Sequence, residues 1–252
     1  MNRYYTYMED FIKLTDGLCF IVDECLVLRV PEYNNIFNEK LPPIPTITSQ
    51  NIKLSDFSYT GVQHCRKDER RFTHKTIGFF NTDALIERIC YRPWNYVEKL
   101  AQYKQIMSPD LSCYTDMPII EQWSNVYLSR FVGAFWQYCG LTVLPTITWS
   151  DEASYLFCFS GVEEGSIVAV STNGTGSFRQ QFISGFKEMC RQVKPLHVIC
   201  YCTPYPEMRG YAEILAVEHE GNWARKLAKK QPIIGQTILP EFDHGLLTAG
   251  GI

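Results

Sequence analysis

Over residues 75–204 the chain alternates two kinds of hydrophobic pattern. Short runs rich in β-branched and aromatic residues (TIGFFN, QIMSPDLS, LTVLPTITW, SIVAVST, LHVICYC) have the length and composition of strands. Between them lie longer segments whose apolar residues recur every three or four positions. In 118–139, Ile119, Trp123, Val126, Tyr127, Phe131 and Phe135 form one stripe behind Pro118, which the first turn of a helix tolerates. Segment 177–193 sets Phe178, Phe182, Phe186 and Met189 on a second stripe, with Ser177 suited to cap its start and Lys194-Pro195 closing it. A third segment, 82–103, carries Leu85, Ile89, Tyr96, Val97 and Leu100 and is expected to kink at Pro93.

Strand and helix alternate four times with connections too long for hairpins, which predicts right-handed βαβ units and helices covering the sheet. SIVAVS and LHVICYC are nearly continuous apolar runs, as strands buried on both faces require. The fold class expected is therefore α/β, a mainly parallel sheet of repeated βα units forming either an open sheet or a TIM-like partial barrel. One more strand is expected at YAEILAVEHE, then a basic helix around NWARKLAKK and an irregular tail. Ahead of the core lie a short apolar segment, 18–30, and the run KLPPIPTIT, whose prolines keep the backbone extended. The expected division is an N-terminal arm over 1–52, an α/β core over 53–206 and a C-terminal extension over 207–252. The start of that core, 53–75, reads as a polar loop holding the cluster Arg66, Lys67, Arg70 and Arg71.

Composition narrows the classes further. With 46% hydrophobic residues among 252, the chain has enough apolar surface for a real core, which excludes a disordered or collagen-like protein. Lys and Arg number 24 against 27 Asp and Glu, so no global basic field draws the chain to nucleic acid or anionic lipid. The acidic N-terminus lacks the apolar stretch of a secretory signal, and every apolar run falls short of the roughly 18 residues of a membrane span. The ten cysteines are scattered, without a C-x-x-C pair, and mostly sit in apolar runs where a thiol acts as a small hydrophobe. These features point to a cytoplasmic protein with no membrane partner.

In a parallel α/β sheet the residues following each strand converge on one crevice, so the candidate chemistry is sought there. Three carboxylates, Asp110, Asp116 and Asp151, follow predicted strands and have the chemistry either to bind a hard divalent metal ion or to share a proton. Asp116 and Asp151 also stand where a carboxylate commonly caps a helix, whereas Asp110 lies in the strand-end segment itself and, with Asp151, is the candidate catalytic acid or base. Candidate ligand-binding residues are Asp116, Tyr114, Trp149, Thr172, Asn173, Gly174, Gly176 and Ser177. Trp149 offers an indole for stacking on a base or sugar. The loop STNGTGS joins a strand to a helix, where backbone amides can hold an anion, although a tight turn with positive φ accounts for both glycines. It matches neither the phosphate-binding Gly-Lys-Ser/Thr loop nor the dinucleotide glycine fingerprint. No histidine pair has metal-ligand spacing, and Cys113 is the single thiol in a candidate loop.

Five blocks in order (SPDLSCYTDMP, NVYLSR, GLTVLPTITW, FCFSGV and a strand ending in STNG) resemble a domain-of-unknown-function family found in phages, prophages and Firmicute genomes. The resemblance covers about residues 75–205. Where members tend to carry two adjacent acids after the first strand, this chain has Asn81-Thr82-Asp83. The resemblance implies a phage or mobile-element origin and supplies no reaction.

Two function classes follow. The first is an intracellular protein that binds a nucleotide, nucleic acid or other phosphate-bearing ligand at the C-terminal strand ends, with metal-assisted hydrolysis as the candidate chemistry and a divalent ion as candidate cofactor. The alternative is a non-enzymatic phage effector that binds a host or phage protein through the N-terminal arm, the basic cluster and the C-terminal tail.

Overall fold

The computed structural model describes residues 3–14, 19–22, 25–28, 44–49, 52, 54, 57–65 and 74–218. The basic cluster at 66–71, the NWARKLAKK segment and the tail lie outside them. Seven strands form the frame: β3 (Ser58–Gly61), β4 (Lys75–Gly78), β5 (Gln105–Met107), β6 (Val143–Leu144), β7 (Ile167–Ser171), β8 (His197–Tyr201) and β9 (Glu213–Val217). β3 to β6 pair in parallel in chain order, and so do β7 to β9. The two groups join just beyond β6, where Ala169 of β7 donates to the Pro145 carbonyl at 2.9 Å and Ile147 donates to that of Ala169 at 2.8 Å.

Strands in sequential order curl readily, and the aromatic contacts show that these do. β3 and β8 are five places apart, which in a flat sheet means roughly 24 Å. Yet Tyr59 of β3 and Tyr201 of β8 have ring centroids 5.3 Å apart. Among the described residues β3 and β9 do not pair, so the sheet is a partial barrel without closure.

The helices α2 (Asp83–Cys90), α3 (Val97–Leu100), α4 (Ile119–Tyr138) and α5 (Arg179–Val193) connect successive strands. α4 is buried on every side from Val126 to Trp136, because it packs against the sheet on one face and against the N-terminal residues on the other. Those residues include α1 (Arg3–Leu14), whose stripe of Tyr4, Met8 and Phe11 is buried, with Phe11 5.1 Å from Phe131 and 5.9 Å from Phe135. The end of the proline-rich run is seated on α4 as well. Thr48 exchanges backbone hydrogen bonds with the Gln137 amide, and Ile47 is fully buried over Gly133. A short antiparallel pair, β1 (Cys19–Val22) and β2 (Cys25–Leu28), lies within the apolar segment predicted over 18–30.

Three local expectations need correction. The polar loop over 53–75 contains a strand, β3, because Tyr59 and Gly61 point inward while Ser58 and Thr60 are part-exposed. The helix over 82–103 breaks rather than kinks: Pro93 lacks an amide proton and starts a 3-10 turn between α2 and α3. Ser177 does not cap α5. It sits in a 3-10 turn, Gly176–Phe178, and α5 starts after Phe178 with no side-chain cap. No described helix is long and apolar enough to cross a membrane.

Candidate functional site

The C-terminal ends of β3 to β8 open on one cleft of about 1240 Å³. Each connection contributes to its wall: Gln63 and His64 after β3, Phe80 to Thr82 after β4, Asp110 after β5, Trp149 after β6, Asn173 to Thr175 after β7, and Tyr201 at the end of β8. The floor is aromatic. Phe80 stacks on Tyr201 at 4.8 Å with the rings 15° apart, and Tyr59 lies against both. At the mouth two large aromatics face water, Tyr114 at 57% and Phe178 at 61% exposure. Phe178 was expected on the buried stripe of the helix that follows; because that helix begins one residue later, its ring is left on the cleft instead. Lys and Arg are missing from the described lining, which carries Asp110, Asp116 and His64 as its ionisable groups besides Cys113 and the tyrosines.

A web of hydrogen bonds from α4 holds the β5 and β6 ends in place. The Asn125 amide donates to the Ser112 carbonyl at 2.8 Å, and the Gln122 amide donates to the carbonyls of Tyr114 and Met117, each at 2.9 Å. Ser150 donates to the Gln122 amide oxygen at 2.5 Å, and Ser129 donates to the Pro109 carbonyl. Thr146 and Ser108 exchange two bonds, each 2.9 Å. Behind them Arg130, 1% exposed, directs its guanidinium to three backbone carbonyls: Nη1 to Thr146 at 2.6 Å, Nη2 to Cys158 at 3.2 Å and Nε to Ser160 at 3.2 Å. Burial lowers its pKa to about 10, so it stays charged at neutral pH.

Asp110 is part-buried between this web and the cleft. Among the described residues its carboxyl group has no hydrogen-bond partner; it feels the charges of Asp83 and Arg130 only at a distance. Arg130 has its donors engaged by carbonyls, and Asp83 holds the Ser112 backbone and hydroxyl through Oδ1 at 3.3 and 3.0 Å. Burial, reinforced by the negative charge of Asp83 and only partly opposed by Arg130, pushes Asp110 up to about 7. A carboxyl group poised there exchanges its proton at neutral pH, as general acid–base chemistry and proton-dependent recognition both require. Cys113 also lines the cleft, but burial raises its thiol far above the ordinary range, so it is not an activated nucleophile. Among the described residues no group of three or more His, Cys, Asp or Glu side chains could hold a metal ion.

Residues 39–218 match the profile of Domain of unknown function (DUF4417), which covers well over half of the chain. The chain belongs to that family. The chain is similar to the "Gene 1 protein" of Mycobacterium phage L5, 34% identical over 143 residues, which make up 53% of this chain and 62% of the phage protein. The "Gene 1 protein" of Mycobacterium phage D29 is 33% identical over 126 residues, 49% of this chain and 47% of the relative. The chain thus spans about half to three fifths of these curated relatives. No solved structure matches it.

Of the residues singled out in the sequence of this DUF4417 domain, the fold brings Asp110, Asp116, Tyr114, Trp149, Asn173 and Gly174 to the cleft. It does not bring Asp151, Thr172, Gly176 or Ser177 into the lining. The Asp151 carboxylate accepts the Ala153 amide at 3.1 Å, capping a 3-10 turn. Thr172 is buried with its hydroxyl on the carbonyls of Tyr201 and Thr203, and Gly176 and Ser177 are exposed outside the cleft. Gly174 has φ of +76°, whereas Gly176 has no positive φ and needs no glycine on that account. Asp83, Phe80 and Tyr201 were not singled out. A rule that also takes the last inward residue of each strand, and not only the loop after it, finds Tyr201.

Trp149 is less available than its position suggested. It is 8% exposed, its ring lies 4.9 Å from Phe182, and its Nε1 abuts Gly185 of α5, where an added Cβ would stand 2.1 Å away. Gly185→Ala is therefore expected to displace the indole and destabilise the fold by about 1–3 kcal/mol, as overpacking does. The denaturation midpoint and the tryptophan emission maximum should both shift; an unchanged midpoint would mean that α5 yields freely.

Proposed function

We propose that this protein binds a nucleobase-bearing ligand, a nucleotide or an unstacked base of a nucleic acid, in the cleft at the strand ends. The observation that carries the reading is the juxtaposition, in one cleft of about 1240 Å³, of flat aromatic surfaces (Phe80, Tyr114, Phe178, Tyr201) with amide and hydroxyl groups (Asn81, Asn173, Gln181, Ser112) and the unpartnered carboxyl of Asp110. Every base has a π-face that stacks on such rings, and its edge needs a few convergent polar groups. Among the described residues the lining is acidic and free of Lys and Arg, which favours the neutral base inside. Phosphates are then left toward the mouth, where α5 begins with uncapped amides next to Gly174 and Thr175.

Thermal denaturation and calorimetric titration with the common nucleosides and their monophosphates test this. At least one is expected to stabilise the protein in a concentration-dependent way. Phe178→Ala, which removes an exposed ring and no core contact, is expected to weaken that ligand roughly tenfold, within the range for one base–aromatic stack. The reading fails if none of these ligands shifts the midpoint at millimolar concentration.

A further inference from the structure

Resting on the nucleobase reading, we infer that Asp110 meets the ligand as a hydrogen-bond donor and that the base it recognises presents an amidine edge, a ring nitrogen acceptor beside an exocyclic amino group, as adenine and cytosine do. The geometry is specific on the protein side. Asp110 leaves the interior strand β5 through Pro109, whose carbonyl is held by Ser129, and its carboxyl group faces the cleft without a hydrogen-bond partner among the described residues. The charged and titratable groups around it come from every neighbouring element. These are Asp83 on α2, Arg130 on α4, Cys113 and Asp116 in the following loop, and His64 elsewhere in the same lining. Arg130 is engaged by three carbonyls and Asp83 by Ser112, so neither supplies a direct counter-contact.

A carboxylic acid pairs its O–H with a ring nitrogen and its carbonyl oxygen with the neighbouring amino hydrogen. A carboxylate offers two acceptors instead and repels the ring nitrogen lone pair. Uracil and guanine also present a donor beside an acceptor, but their acceptor is a carbonyl oxygen carrying concentrated negative charge. That oxygen would meet Asp116 in a lining that, among the described residues, holds no Lys or Arg. The amino-bearing edge of adenine or cytosine puts its positive hydrogens there instead.

The sign of the pH dependence follows. Only the protonated form binds, so affinity is full below the ionisation of Asp110 and falls as pH rises through it. Between pH 6 and pH 8 the dissociation constants of adenosine and cytidine are expected to rise about tenfold. Asparagine is the neutral isostere of a protonated aspartate, with one face donating and one accepting. Asp110→Asn should therefore bind both nucleosides at pH 8 as wild type does at pH 6, and Asp110→Leu should lose about tenfold or more at either pH. The readout is the difference in slope between wild type and Asp110→Asn, because any contribution from His64 persists in the variant. Tight binding of guanosine or uridine in preference to adenosine and cytidine, or an equal slope in Asp110→Asn, overturns this inference and leaves the nucleobase reading standing. Failure of all four nucleosides overturns both.

Discussion

Replacing Arg130 with methionine is expected to destabilise the protein by more than about 4 kcal/mol. Methionine matches the length of the stem, so the loss reports the guanidinium itself. In its absence the carbonyls of Thr146 and Cys158, both buried, lose their donors, and each such orphan costs about 1–3 kcal/mol. The Ser160 carbonyl and the Ser129 hydroxyl lose one contact each. For a chain of this size, a change of that order lowers the melting temperature by about 8–16 °C. Lysine is no remedy, because a single ammonium group does not reproduce a planar fork that spans three carbonyls. Equal melting temperatures for Arg130→Met and wild type would show that those carbonyls are satisfied some other way. The wider consequence concerns the cleft. Arg130 ties the residues after β6 to the turns that follow the 3-10 helix Glu152–Leu156, so its loss should also weaken any ligand that the cleft holds.

The fold was legible because its strands and helices are long and one-sided. β7 and β8 are unbroken apolar runs, and the stripe through Trp123, Val126, Phe131 and Phe135 marks α4 without ambiguity. β3 was not legible. Four residues, SYTG, sit in a polar stretch, and their strand character comes from pairing with β4, where Tyr59 faces Thr76 and Gly61 faces Gly78. The curl of the sheet is likewise a property of contacts between residues 142 positions apart, Tyr59 and Tyr201, which no local pattern encodes. Helix α1 had a readable signal in Tyr4, Met8 and Phe11, one face at spacings of four and three. Acidic residues between them drew attention to charge instead.

The convergence of loop residues on one rim follows from the direction of the strands alone, which is why Asp110, Asn173 and Trp149 could be placed together before any contact was known. Their individual roles follow from neighbours. Asp110 and Asp151 both follow predicted strands and shared one candidate role, yet Asp151 is satisfied by an amide two residues on while Asp110 has no such partner among the described residues. Asp83 was visible only as the acid remaining in Asn81-Thr82-Asp83. Its influence on Asp110 depends on β4 and β5 being adjacent. Arg130 carried a signal that went unused, an arginine at a position flanked by Tyr127 and Phe131 on a helix buried all round. A cation placed there needs several oxygens, and the β6 end with its following turn is where they are.

The second large effect is a gain. Asp110→Asn is expected to leave stability unchanged near pH 4 and to raise it by roughly 2–4 kcal/mol at pH 8, or about 5–15 °C in melting temperature. The folded protein holds the Asp110 proton up to about 7, whereas an unfolded chain releases it near 3.9. Between those values the native state binds the proton and the unfolded state does not, so wild-type stability falls as pH rises and stays low above 7. Asparagine fills the same space without a charge to desolvate or to set against Asp83, and so it removes the decline. Asp83→Asn should recover a smaller part, because the repulsion it relieves is secondary to burial. Melting curves of the three proteins from pH 4 to pH 8 distinguish these cases. Superimposable curves for wild type and Asp110→Asn at pH 8 would mean that water in the cleft already solvates the carboxylate. A gain confined to the alkaline side would instead mark Asp110 as a residue kept at a cost in stability, which is how a site for a proton-dependent contact differs from a packed core.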